Sequence, residues 1–289
     1  MSKDNPLKRL VYIGIRWYVR HFKFPFRGEK YFSSLLKYFS LYRSTYIKKL
    51  HNGQLISVVP EDHIQRTLLW YGFYEKDSIL TWEKLIGQDS VVIDIGTNIG
   101  YYTLIAAQKA RNGKVYSFEP VAVNFQALQQ NLKLNNITNV IAYQAGISNA
   151  RSVAKYFVSS PDNRGMSGMR PAPNFSGLVE SIETMTLDEF SRDQNLKKID
   201  FIKLDIEGNE LNALHGMLEV LKKFKPVLFI ELLGEHLAGY GAEVKDVYHF
   251  LKENGYDPCQ IHPDGSFNFV NTEDESEMMM FVPAGGMHQ

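Results

Sequence analysis

Four acidic residues in this chain stand where an apolar run gives way to a turn. They are Asp94 after Val91-Val92-Ile93, Glu119 after Lys114 to Phe118, Asp205 after Phe201-Ile202-Lys203-Leu204, and Glu231 after Val227 to Ile230. Short unbroken apolar runs read as strands buried on both faces. Doubly wound sheets bind their ligands at the carboxyl ends of such strands. An acid placed there can accept hydrogen bonds from hydroxyls, attract a cation or take a proton. Glu207 and Gly208 follow close behind Asp205, and His236 lies five residues beyond Glu231. Asp205, Glu207, Glu231 and His236 are therefore the candidates for catalysis.

The turn after Asp94 narrows the choice of ligand. A dinucleotide fingerprint needs glycines in G-x-G-x-x-G spacing. Counting from Gly96, the second and third positions are Asn98 and Tyr101, and no Gly-Lys-Ser/Thr follows to make a phosphate loop. An acid two residues before the first glycine repels phosphate. It suits the cationic groups of S-adenosylmethionine (SAM), and backbone N–H groups at the start of the following helix suit its carboxylate. The plainer reading makes Asp94 a strand-end or capping residue. Glu119 lies 23 residues beyond Gly96, the distance at which such folds set an acid against the ribose hydroxyls. Its plainer reading is a solvated strand-end charge.

Asp94-Ile95-Gly96-Thr97-Asn98-Ile99-Gly100, Phe118-Glu119-Pro120 and Leu204-Asp205-Ile206-Glu207-Gly208 together resemble the FkbM family of SAM-dependent methyltransferases. The similarity runs from about Gly53 to Pro283. Thr97 stands where the family often has Ala, and Asn209 where it often has His. The resemblance implies a class I, Rossmann-like α/β fold: a seven-stranded, mostly parallel sheet with helices on both faces and an antiparallel edge pair. It also implies O-methylation of a sugar or natural-product hydroxyl. The cofactor set it suggests is Asp94, Gly96, Thr97, Asn98, Gly100, Tyr101, Glu119, Pro120, Asn124, the Ala145-Gly146-Ile147 turn and Asp205. Related enzymes hold Mg²⁺ with acids at comparable strand ends, and the same acids can equally serve as a metal-free base. A glycan or glycolipid acceptor is the leading expectation; a small natural product and a non-catalytic SAM-binding subunit are the alternatives.

The elements that would position these residues follow the same order. Residues 91–289 carry the alternating strands and helices of the methyltransferase region, with 148–198 a long loop or hairpin insertion in which Arg164, Met166, Ser167 and Met169 are placed over the acceptor. The spacing predicts one helix from about Asn209 to Lys223, and a strand at Met278 to Val282 rather than a methionine-lined metal site. Residues 51–90 are a lead-in covering the cofactor cleft, with Tyr71 and Tyr74 as possible contacts. Residues 1–50 form a helical arm with 12 Lys/Arg against Asp4 and Glu29, interleaved with aromatics such as Trp17, Tyr18, Phe22, Phe24, Phe26, Phe32 and Phe39 and interrupted near Pro25. Such an arm suits an anionic membrane surface, its own domain or the second subunit of a homodimer. Neutral net charge argues against bulk nucleic-acid binding. The single Cys259 suits a reducing cytoplasm, with a peripheral position at the inner membrane as the variant.

Overall fold

The computed structural model describes residues 6–21, 29–171, 175, 177–271 and 273–286. Phe22, Phe24, Pro25, Phe26 and Pro173 lie outside the described residues, as does the side chain of Phe32. Helices α1 (Pro6–His21) and α2 (Glu29–Tyr38) precede an antiparallel pair, β1 (Tyr46–Lys49) and β2 (Leu55–Val58). Helices α3 (His63–Tyr71) and α4 (Lys76–Leu85) lead to β3 (Val91–Ile95), α5 (Tyr101–Lys109), β4 (Lys114–Phe118), α6 (Ala122–Leu134) and β5 (Val140–Tyr143). A small sheet of β6 (Gly146–Ile147), β7 (Ser152–Val158) and β8 (Leu178–Met185) follows, with a 3₁₀ turn at Arg164–Met166. Then come α7 (Leu187–Asp193), β9 (Phe201–Leu204), α8 (Glu210–His215), α9 (Leu218–Phe224), β10 (Val227–Leu232), α10 (Gly234–Ala238) and α11 (Val244–Glu253). The chain closes through β11 (Tyr256–Ile261), β12 (Phe267–Phe269) and β13 (Ser276–Pro283).

The main sheet runs β5-β4-β3-β9-β10-β13-β11-β12. The first five strands are parallel and the last three antiparallel. This is the expected Rossmann-like class I arrangement, with β12 adding one short strand to its antiparallel edge. The chain reverses its direction of travel across the sheet between β3 and β9, the switch point where ligands of such sheets bind.

Alternate side chains divide between two cores. Val92, Phe201, Phe229, Met278 and Met280 pack with α3, α4, α5 and the arm, while Ile93, Ile202, Ile230, Met279 and Phe281 pack with α7, α8, α9 and α11. The three methionines thus alternate along a buried strand. Within the long connection after β6, β7 pairs antiparallel with β8 along its length. The expected single helix from Asn209 to Lys223 is instead two, α8 and α9, broken at Gly216 and Met217. A side chain at Gly216 would overlap the Ser148 carbonyl, so tertiary contact decides the break. In α6 the buried positions include polar Asn124 and Asn131 beside Leu128, whereas Phe125 and Leu132 are only half-buried.

Asn131 is fully buried and ties three segments together. Its Oδ1 accepts from Ser57 N–H at 2.7 Å, and its Nδ2 donates to the Ile99 carbonyl at 2.9 Å. Asn131→Ala strands both backbone groups and should cost about 1–3 kcal/mol of stability. Urea denaturation of the two proteins measures it, and an unchanged midpoint would contradict the assignment.

Candidate active site

The turn from β3 into α5 is built by backbone geometry. Gly96, Asn98 and Gly100 all have left-handed backbone angles, which Gly adopts freely and Asn tolerates better than most residues. A Cβ on Gly96 would overlap the Asp205 carbonyl, so the first and third acidic segments meet here at backbone distance. Gly96 and Thr97 donate their N–H groups to the Phe118 carbonyl at 3.0 and 3.2 Å. Glu119 completes the link: its carboxylate accepts from Asn98 N–H at 2.7 Å and Val121 N–H at 3.0 Å.

These segments wall a cleft with an empty volume of about 710 Å³, open to solvent. Gly96, Thr97, Asn98, Tyr101, Glu119, Asn124, Asp205, Glu207 and Glu231 line it. Ile64 and Tyr74 from the lead-in segment, with Arg164 and Ser167 from the long connection, line it too; Tyr71 and Met166 do not. An adjoining apolar pocket is lined by Phe118, Pro120, Ala145, Gly146, Ile147 and Met169, and it shares Gly96, Tyr156 and Ile206 with the first. Asn98 Oδ1 is a buried acceptor without a donor among the described residues. The cleft therefore offers carboxylate and amide acceptors for hydroxyls and an ammonium, beside an apolar slot for a flat ring. That donor and acceptor set fits SAM.

Two residues of the expected set sit behind the wall. Asp94 is fully buried, and its Oδ2 accepts from the Thr103 hydroxyl at 2.5 Å; Thr103 in turn lies 2.9 Å from Ser117 Oγ. Its Oδ1 has no hydrogen-bond partner among the described residues. Gly100 caps α5 and faces Leu128.

Lys203 and Tyr102 line the cleft, and sequence reasoning passed over both. Lys203 is buried, opposite Asp94 in the β3–β9 register, with its Nζ 2.8 Å from Asp205 Oδ2 and 4.8 Å from the Tyr102 ring centre. Burial alone disfavours the ammonium, yet Asp205, Asp94 and Glu75 outweigh it and hold the group above its ordinary value. The signal in the sequence was a lone cation inside an apolar run. Glu210, in the first turn of α8, is also buried and accepts from Ile206 N–H at 2.9 Å and Gly208 N–H at 3.2 Å. Burial, then Glu231, pushes its carboxyl up to about 8.

Glu207, Glu231 and His236 gather beside Asp205. Glu207 has a left-handed backbone, and a Cβ on the following Gly208 would overlap the His236 carbonyl, so the turn packs directly on α10. Glu231 lies where the β10–β13 pairing shifts register, an irregularity of the kind that re-aims a side chain. His236 Nδ1 is 3.1 Å from Glu207 and 3.5 Å from Glu231, although neither contact has hydrogen-bond alignment. The two carboxylates face the cleft and His236 stands behind them. Burial, followed by the Glu231 and Asp205 charges, holds the Glu207 carboxyl well above the usual carboxylate range. One potential ligand atom from each of the three residues lies within 4.8 Å of the others. Asp205 is paired with Lys203 instead, so the cation-type cluster contains two carboxylates and an imidazole rather than three acids.

Known proteins give the same direction. Residues 94–258, more than half of the chain, match the Methyltransferase FkbM domain. Methyltransferase sdnD of Sordaria araneosa is 31% identical over 154 residues, covering 44% of this chain and 60% of that protein. The chain thus spans about three fifths of that relative's length. The hexuronic acid methyltransferase AglP of Haloferax volcanii is 28% identical over 179 residues, covering 62% of this chain and 68% of its own. Among solved structures, methyltransferase FkbM from Methylobacillus flagellatus matches with a TM-score of 0.46 at 15% identity, over 96% of this chain and 59% of that one.

Burial pushes the Glu119 carboxyl from 4.5 up to about 7. Because the folded value lies above the unfolded one, the neutral acid is the form the fold favours. Its stabilisation is full below the ordinary value and is lost as pH rises through about 7. Glu119→Gln should flatten the decline in the thermal midpoint of the ligand-free protein across that window. Equal slopes for the two proteins would contradict the assignment.

Proposed function

Because the chain belongs to the FkbM methyltransferase family, we propose that it binds SAM in this cleft and transfers the methyl group to a hydroxyl, that of a sugar in a glycan or glycolipid. The observation that carries the reading is the shared cleft, with Glu119 and Asn98 at one part and Asp205, Glu207 and Glu231 at another. The name of the hexuronic acid methyltransferase relative supports a sugar acceptor.

SAM, when bound, supplies a methyl carbon activated by its sulfonium. The chain's residues do the remainder. Glu119 accepts from the ribose hydroxyls, Asn98 Oδ1 accepts from the ammonium, and the Ala145–Ile147 turn with Phe118 flanks the adenine. Lys203, 2.8 Å from Asp205 Oδ2, would orient that side chain toward the sulfonium. The Glu207–Glu231 pair takes the one proton released as the acceptor oxygen forms its new bond to carbon, its ionised member acting as the base while the other is held neutral. An alcohol is too weakly nucleophilic without such a base. His236, with its Nδ1 3.1 Å from Glu207 and 3.5 Å from Glu231, is placed behind the pair to share that proton.

The Glu207–Glu231–His236 grouping favours a second reading, in which a divalent cation activates the hydroxyl. An imidazole in the donor set suits Mn²⁺ or Zn²⁺ better than Mg²⁺, which prefers oxygen ligands.

Incubation of the full chain with methyl-labelled SAM and uronic or neutral sugar acceptors tests the activity by mass shift. Glu207→Gln and Glu231→Gln should lower kcat by about 10²–10⁴-fold while leaving affinity for the demethylated product, S-adenosylhomocysteine (SAH), nearly unchanged. Activity that survives EDTA supports the base; activity lost to EDTA and restored by Mn²⁺ supports the cation. Near-full turnover in both amide variants would place the chemistry elsewhere.

A further inference from the structure

Helix α1 has two apolar sides. On one, Ile15 is buried and Val11, Tyr12 and Tyr18 pack against the core. The Tyr12 ring lies 5.5 Å from that of Tyr46, and its hydroxyl donates to the Thr45 carbonyl at 3.3 Å. The arm therefore packs on its own fold. The other side is turned to solvent: Leu10 is 66% exposed and Ile13 52%, with Leu7 and Trp17 similarly exposed. A rotation of about 100° per residue puts these four on one face. A monomeric soluble protein rarely exposes a contiguous row of this kind without a use for it.

Charge identifies what the row meets. Residues 1–50 hold 12 Lys/Arg against two acids, a balance of +10 in a chain whose total is zero. Lys48 is buried and Arg43 is paired with Glu61, and the segment stays strongly positive with both set aside. A second copy of the chain docking through this helix would bring the same basic segment against itself across a two-fold axis, with like charges opposed. An anionic lipid surface satisfies both features, taking the apolar row into the acyl boundary and the cations among the headgroups.

We propose that α1 docks this protein on anionic membranes through Leu7, Leu10, Ile13 and Trp17. Beyond α1, the arm touches a helix that lines the cleft. Tyr42, just after α2, accepts at its hydroxyl from Arg66 of α3 at 2.8 Å, and Ile64 of the same helix lines the cleft. Among the described residues no helix is long and apolar enough to cross a membrane, so this contact lies on the surface rather than across it. That docking delivers a lipid-linked acceptor rests on the methyl-transfer reading; the docking itself does not.

The test is co-sedimentation of the full chain with vesicles of phosphatidylcholine alone or mixed with phosphatidylglycerol, at low and high salt. The wild-type protein should pellet with the anionic vesicles at low salt, and recovery should fall at least about tenfold at high salt, where screening shortens the reach of the charges to about 3 Å. Leu10→Glu/Ile13→Glu should lose binding with an unchanged thermal midpoint, because both side chains face solvent. Leu178→Glu, an equally exposed residue on the β7–β8 hairpin, should keep it. No recovery of wild type on anionic vesicles, or equal recovery of the double variant, overturns the proposal. So does a dimer in sedimentation velocity that the double variant converts to monomer, since the face would then be covered by a second copy. SAH binding measured on the same preparations separates the two readings: its loss counts against methyl transfer and leaves docking standing.

Discussion

The site depends on keeping one ammonium buried among carboxylates. Asp94, Asp205, Glu207, Glu210 and Glu231 crowd the carboxyl edge around the switch point, and Lys203 is the cation set among them. Carboxylates this close and this poorly solvated cannot all ionise freely. The fold answers in three ways. Lys203 neutralises Asp205 and offsets Asp94; backbone N–H groups stabilise Glu119 and Glu210; and Glu207 is held toward its neutral form. The balance still leans negative, so a ligand carrying positive charge relieves repulsion already present in the ligand-free protein. That complementarity is the physical basis for reading the cleft as a sulfonium site.

Backbone contacts keep those charges in place. Gly96 rests on the Asp205 carbonyl and Gly208 on the His236 carbonyl, so β3, β9 and the helix after β10 share a single packed junction. Asn98, Glu207 and Gly208 accept left-handed angles there. Such strain persists only where surrounding contacts over-determine it, and it is characteristic of functional turns. The irregular pairing around Glu231 belongs to the same junction. The long connection closes over it from the other side, because the Arg164 N–H donates to Asp62, the residue that caps α3.

Much of this was legible in the chain because apolar runs ending in acids report strand ends directly. The chain order of β3, β4, β9 and β10 and the hairpin of β7 and β8 follow from local pattern. What depended on tertiary contact was not legible. Lys203 reads as an ordinary strand residue until Asp94 is set opposite it. Glu210 reads as a helix-dipole acid until burial and two N–H partners make it a clamp for the Asp205–Gly208 turn. Asp94 looked like a ligand because it precedes the turn, but the Thr103 hydroxyl draws it behind the cleft wall. The break between α8 and α9 likewise arises from a neighbour distant in sequence, the Ser148 carbonyl against Gly216.

The most direct test of the account is calorimetric titration of the full chain with SAH and with NAD⁺, alongside Glu119→Ala. The account predicts one SAH site per chain, binding weakened by about 1–3 kcal/mol when the Glu119 carboxylate is removed, and weaker binding of NAD⁺ than of SAH. Tighter binding of NAD⁺, or SAH affinity indifferent to Glu119, would contradict it.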